Sequence, residues 1–214
     1  KDTDTNIIAN LAGDTIDEYA ELTERMSHLE KISILEINVS CPNVKEGGVS
    51  FGTNKNILKK LVKKCRSKTK KPLMVKLSPN VTSIAEMAKI CEDYGADALS
   101  MINTMRGMKI DILKMKPVVG KKIGGYSGKG IKPIAIAMIY ETSKSVTLPI
   151  LGMGGVMNGN DAVEFLMAGA ALVGVGSANF NNPLAAKNIL EQYNSYLEKN
   201  NCSYSDIRKI SYSI

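Results

Sequence analysis

Short apolar runs alternate along this chain with longer stretches in which apolar residues recur at helical spacing. Asn6-Ile7-Ile8-Ala9-Asn10 predicts a strand, and Thr15 or Asp14 can cap a helix carrying Ile16, Tyr19, Ala20 and Thr23 on one side. Leu35, Ile37 and Val39 alternate as in a buried strand. Asn54 or Thr53 can then cap a helix with Ile57, Leu58, Leu61 and Val62 on one face. The run from Pro72 to Pro79 is a strand bracketed by prolines. Thr82 or Ser83 opens a helix with Ile84, Met87, Ala88 and Cys91 at helical spacing, and Gly95 ends it. Ala98 to Ile102 is a further strand. The stretch from Met105 to Gly130 is rich in glycine, has only short apolar runs, and reads as a long loop of the functional or mobile kind. Pro133 suits the first turn of a helix showing Ile134, Ala137, Met138 and Glu141. Strands follow over Pro149–Met153 and Leu172–Val175. Between them lies a helix capped by Asn158 or Asn160, with Ala162, Phe165 and Leu166 inward. A last helix spans about Pro183 to Glu198, and the tail to Ile214 forms a short closing helix or frays.

This alternation predicts an α/β fold with a parallel sheet and helices outside it. Polar residues and glycines gather after the strands, at Asn10, Cys41, Ser78, Asn103, Gly154 and Gly176. In a (β/α)8 TIM barrel that end of the strands carries the active site. The six units counted here are two fewer than such a barrel needs, and the first residue is Lys1. The expectation is therefore a single domain over 1–214 forming the C-terminal three-quarters of a barrel, with the first two strands absent. A doubly wound open sheet is the alternative, but it calls for GxGxxG near its first strand, and none occurs there.

Composition narrows the classes. An apolar content of 44% supports a real core, and no apolar run is long enough to span a membrane. Cys41, Cys65, Cys91 and Cys202 are scattered without a CxxC, which argues against zinc, a cluster on this chain or a disulfide framework and fits a cytoplasmic protein. The net charge of +7 invites nucleic acid, but with three Phe and no Trp there is little to stack bases on, and pairs such as Lys59-Lys60 and Lys63-Lys64 fall on helix faces. A small anionic ligand exploits the same balance.

The candidate chemistry centres on Leu35 to Asn54. Its strand runs into Ser40-Cys41-Pro42-Asn43, where Pro42 stops ladder pairing, and Gly47, Gly48 and Gly52 follow. Asn38 and Ser40 share one side of the strand, and Cys41 sits at the loop mouth. Lys76 lies between apolar Val75 and Leu77, so alternation aims it into the barrel, where it needs a partner. Gly154-Gly155 and Gly176-Ser177 close the last two strands, where barrels often bind phosphate through backbone N–H groups. His28, the sole histidine, lies late in a helix and reads as a helix-end residue.

The run Asn38-Val39-Ser40-Cys41-Pro42-Asn43-Val44-Lys45, with Gly47-Gly48 and Phe51-Gly52-Thr53, closely resembles the catalytic loop of class 1 dihydroorotate dehydrogenases, most of all the NAD-linked class 1B catalytic subunit. IIANLAG, VKLSPNVT, MINT, GGYSGKGIKP, PILGMGGV and VGVGSANF extend the likeness over nearly the whole chain in the family's order. The resemblance implies oxidation of (S)-dihydroorotate to orotate in UMP biosynthesis, with FMN on this chain. It further implies a partner iron–sulfur flavoprotein that carries FAD and [2Fe–2S] and passes electrons to NAD, and a homodimer at the core of a heterotetramer. It implies Cys41 as the catalytic base. Asn38, Asn103 and Thr104, joined by Asn43, bind the substrate. Asn10, Asn38, Lys76, Ile102, Gly128, Gly154, Gly155, Gly176 and Ser177 hold FMN, with Lys76 facing the reduced flavin. Where the family commonly has Ser-Gly-Pro-Ala, this chain has Ser127-Gly128-Lys129-Gly130, which predicts a looser and more positive segment. The alternatives are an FMN barrel of the dihydropyrimidine dehydrogenase type and a non-catalytic phosphate-binding barrel.

Overall fold

A computed structural model describes residues 4–40, 51–210 and 213. The sequence-predicted strands and helices occur in order: β1 (Ile7–Leu11), α1 (Ile16–Ser27), β2 (Ile32–Asn38), α2 (Lys55–Arg66), β3 (Leu73–Lys76), α3 (Ile84–Asp93) and β4 (Ala98–Met101). Four short strands follow, β5 (Met105–Gly107), β6 (Ile110–Asp111), β7 (Lys116–Pro117) and β8 (Gly124–Tyr126). The chain then forms α4 (Lys132–Ser143), β9 (Ile150–Met153), α5 (Gly159–Met167), β10 (Leu172–Gly174), α6 (Ala178–Asn181), α7 (Ala185–Asn200) and α8 (Tyr204–Lys209).

The main sheet has the order β1-β2-β3-β4-β9-β10 with every pairing parallel. Parallel neighbours need crossovers, and the helices supply them. With strands and helices alternating around one curled parallel sheet, the fold is that of a partial (β/α)8 barrel. Strand alternation sorts the residues. Leu35, Ile37 and Val39, Leu73, Val75 and Leu77, and Leu99 and Met101 are fully buried against the helices. Glu36, Asn38, Met74, Lys76 and Ser100 take the other side, facing the barrel interior.

Helix starts are fixed by side chains that accept from the first-turn amides: Thr15 from Glu18, Asn54 from Asn56 and Ile57, Ser83 from Glu86, and Asn158 from Asp161. Gly152 permits close helix–strand approach, since a Cβ there would lie 2.8 Å from both Ile139 and Phe165. Some of the lysines form exposed pairs such as Lys55–Glu86 and Lys68–Glu24, each worth little in water.

Two sequence expectations are corrected. The stretch 105–130 is not an unstructured loop: β5 pairs antiparallel with β8, and β6 with β7, as a ribbon that ends in a 3-10 turn at Lys129–Ile131. Gly130 within that turn is packed against the Tyr126 hydroxyl rather than being set loose. Helix α4 buries Ala135, Ile139 and Thr142, not the face through Ile134, Ala137, Met138 and Glu141. No helix among the described residues is long and apolar enough to cross a membrane.

Candidate active site

Because the six strands are parallel, their carboxyl ends share one rim, which carries Asn10, Asn38, Lys76, Ile102, Asn103, Gly154 and Gly176. Cys41 and Asn43 lie outside the described residues. The chain on either side of 41–50 is nevertheless pinned to this rim. The Gly52 N–H donates to the Val39 carbonyl at 2.9 Å, and the Phe51 ring meets Tyr19 edge-on at 5.3 Å. Tyr19 in turn donates its hydroxyl to the Asn38 carbonyl at 2.6 Å, so helix α1 braces the end of β2.

Asn38 and Asn103 are joined through Ser40. The Ser40 hydroxyl donates to Asn38 Oδ1 at 2.5 Å and accepts from the Asn103 amide. An amide offers a donor and an acceptor in one plane, so two of them fixed at the ends of β2 and β4 can match a ring edge of alternating carbonyls and N–H groups. Lys76 stands in register between Asn38 and Ser100. It has no ion pair with another described residue, so its charge is available to a ligand. Thr104 lies beneath Gly125, where any Cβ would strike its hydroxyl. Its carbonyl accepts from the Asn80 amide at 3.1 Å, and Asn80 Oδ1 accepts from the Arg106 N–H at 3.0 Å, which fixes the foot of the ribbon beside Asn103.

One tier below lies a carboxylate that the sequence reading did not select. Glu36 is 6% exposed, accepts from the Ser100 hydroxyl at 2.5 Å and from the Asn10 amide, and so sets the orientation of Asn10 at the rim. A glutamate between Leu35 and Ile37 passes for the wet side of an ordinary strand, and only closure of the sheet turns that side inward. Asn80, Lys132 and Asp161 were missed as well, since their partners are remote in sequence.

Further along the same rim, three glycine turns converge. Gly128, Gly154 and Gly155 have φ of 92°, 131° and 86°, a region that L side chains rarely adopt. A Cβ on Gly155 would lie 2.7 Å from the Gly128 carbonyl oxygen, and one on Gly128 would lie 3.8 Å from the Ser177 hydroxyl. A Cβ on Gly176 would meet nothing within 4 Å. Bare backbone thus faces open space there. Ile102, 3% exposed, donates its N–H to the Met153 carbonyl at 2.9 Å and backs Gly154. Clefts occur elsewhere as well: a groove of about 560 Å³ flanks α4 and α5, and a pocket of about 420 Å³ runs between β10 and α7. They carry none of the rim residues. The inner face of a six-stranded sheet is a trough and not an enclosed cavity.

Cys65 and Cys91 are poor candidates for thiol chemistry. Both are fully buried, and burial pushes the Cys65 thiol up to about 11 and Cys91 higher still. No cluster of three or more metal-ligating side chains occurs among the described residues.

The fold is that of a partial (β/α)8 barrel, a class whose enzymes carry their active sites at the carboxyl ends of the strands, and here that rim holds the bridged amides, Lys76 and the glycine turns. The sequence profile of the dihydroorotate dehydrogenase family matches residues 1–197, and the chain belongs to that family. Three curated relatives bear the name dihydroorotate dehydrogenase B (NAD(+)), catalytic subunit. That of Geotalea uraniireducens is 48% identical over 206 residues, covering 96% of this chain and 67% of the relative. That of Bacteroides fragilis is 45% identical, covering 97% and 69%. That of Trichlorobacter lovleyi is 50% identical, covering 90% and 64%. The chain thus spans about two thirds of the length of the curated relatives it matches. The crystal structure of the Eimeria tenella dihydroorotate dehydrogenase in complex with ferulenol superposes with a TM-score of 0.73 at 20% identity, covering 93% of this chain and 58% of that one. At that identity the match speaks for the fold.

Proposed function

We propose that this chain is the catalytic part of an NAD-linked dihydroorotate dehydrogenase, oxidising (S)-dihydroorotate to orotate in pyrimidine biosynthesis. Family membership and the names of the relatives support the reaction. The observation that carries it in the fold is the Asn38–Ser40–Asn103 bridge, which holds two amides at one rim beside Lys76. Asn38, Asn103 and Thr104 grip the substrate ring. Cys41, which follows directly on Ser40, takes the proton from the ring carbon next to the carbonyl. Asn10, Asn38, Lys76 and Ile102 line the flavin ring. Gly128, Gly154, Gly155, Gly176 and Ser177 hold the phosphate through backbone N–H groups, which need no side-chain charge. FMN, when bound, supplies the two-electron acceptor. Lys76 sets a cation beside the place where negative charge accumulates. Electrons pass onward to a partner iron–sulfur flavoprotein bearing FAD and [2Fe–2S]; the working assembly is a heterotetramer around a homodimer in the cytoplasm.

The test is a substrate panel on the full-length protein with its natural partner subunit. Orotate formation from dihydroorotate, with NAD reduction, is the expected result. Turnover confined to dihydrouracil-type rings, or a purified protein without flavin absorbance, would overturn the reading.

A further inference from the structure

We infer that Lys132 and Asp161 are positioning residues for the anion cradle: one ion pair that holds its two glycine walls in register without touching the anion. The inference rests on the reading of that cradle as the seat of the FMN phosphate.

The two walls come from different parts of the chain. One is the turn from Gly128 into the first residues of α4; the other is the Gly154–Gly155 turn that leads from β9 to α5. They meet where a Cβ on Gly155 would lie 2.9 Å from the Cβ of Lys132 and 3.0 Å from its backbone nitrogen. The Lys132 backbone is therefore part of the first wall. Its side chain turns to the second, where the ammonium reaches Asp161 Oδ1 at 2.6 Å and Glu164 Oε2 at 2.5 Å.

Asp161 is 4% exposed, and both its oxygens are used. While Oδ1 takes the lysine, Oδ2 accepts from the backbone N–H of Met157 at 2.8 Å and of Asn158 at 3.2 Å. A single buried carboxylate thus fixes the turn after Gly155 and anchors the start of α4. The hydrogen bond that Lys132 donates to Asp161 raises the lysine pKa, so the ammonium stays charged at neutral pH. With two carboxylates on its ammonium, Lys132 has its charge met within the fold, and the cradle is left to its backbone N–H groups. A backbone cradle discriminates by position, and shifting one wall changes where the N–H groups point. Surface pairs elsewhere on this protein bridge exposed helix faces; this one is buried on the acid side and tied to both glycine turns.

The prediction concerns discrimination between FMN and riboflavin, which differ by the phosphate alone. Flavin fluorescence titration of the full-length apoprotein measures both affinities, with thermal unfolding followed in parallel. Wild type is expected to prefer FMN. Lys132→Met and Asp161→Asn should each weaken FMN by about tenfold or more, the scale of one charge-assisted hydrogen bond, and leave riboflavin within about twofold. Lys132→Arg, which can still bridge the carboxylates, should keep the preference. If both variants weaken FMN and riboflavin alike, the pair is merely structural and the inference is wrong. Unchanged FMN binding in both also overturns it. A wild type with no preference for FMN over riboflavin would instead remove the phosphate reading, and the inference with it.

Discussion

Gly155 and Gly176 form a matched pair of perturbations, because the same methyl group meets opposite surroundings. At Gly155 the backbone has φ of 86°, which costs an L residue about 1–2 kcal/mol. The added Cβ would also lie 2.7 Å from the Gly128 carbonyl and 3.0 Å from the Lys132 nitrogen, and backbone atoms yield only if a whole turn moves. Overpacking of this kind costs about 1–3 kcal/mol, so Gly155→Ala should lose roughly 2–5 kcal/mol in all. For a urea slope of about 2 kcal/mol/M, the unfolding midpoint of the apoprotein drops by about 1–2.5 M. Gly176→Ala places its methyl group in open space outside the left-handed region. Its midpoint should hold or rise slightly, since alanine stiffens the unfolded chain by about 0.4–1 kcal/mol. In FMN titrations of the same two proteins, Gly176→Ala should nevertheless lose affinity, since the methyl group fills space that the phosphate needs. An undiminished midpoint for Gly155→Ala would refute the crowding argument. Undiminished FMN affinity for Gly176→Ala would refute the assignment of that space to the ligand.

Two further outcomes follow from contacts away from the cradle. Glu92 accepts from Lys89 at 2.8 Å and from both the N–H and the hydroxyl of Thr147 at 2.7 Å, and these bonds, that of Lys89 first, hold its carboxyl down from 4.5 to about 2. A depressed carboxyl stabilises the fold above its unfolded pKa. The stability gap between wild type and Glu92→Gln in urea titrations should therefore be full at neutral pH and close as pH falls from 4.5 towards 2; a gap that widened on acidification would contradict the bonding. Tyr19→Phe removes the hydrogen bond from α1 to the Asn38 carbonyl, and should lower stability by about 1–3 kcal/mol while raising the KM for dihydroorotate; an unchanged KM would show that α1 does not brace the amide.

The parallel strands were legible because each is a short apolar run between proline, glycine and polar residues, and the helix starts because Thr15, Asn54, Ser83 and Asn158 carry the right side chains for caps. The face of α4 was not, because Ile134, Ala135, Ile136, Ala137, Met138 and Ile139 run apolar all round the helix and leave periodicity without a phase. The ribbon escaped for a different reason. Its strands are two or three residues long, and Ile110, Ile112, Leu113 and Met115 are exposed, so neither length nor alternation marks them. Within the site, Asn38, Lys76, Asn103 and the glycine turns sit at strand ends, where position alone makes them candidates. Lys132 and Asp161 are separated by 29 residues and become partners only once α4 and α5 lie side by side.

The central claim is that FMN lies along the carboxyl rim of this sheet, with its phosphate at the glycine turns. A crystal structure of the full-length protein with FMN and orotate tests it most directly. The account predicts the phosphate against the backbone of Gly155 and Gly176–Ser177, with orotate against Asn38 and Asn103 and within reach of Cys41. A flavin seated at the amino end of the strands, or in the groove between α4 and α5, would contradict it.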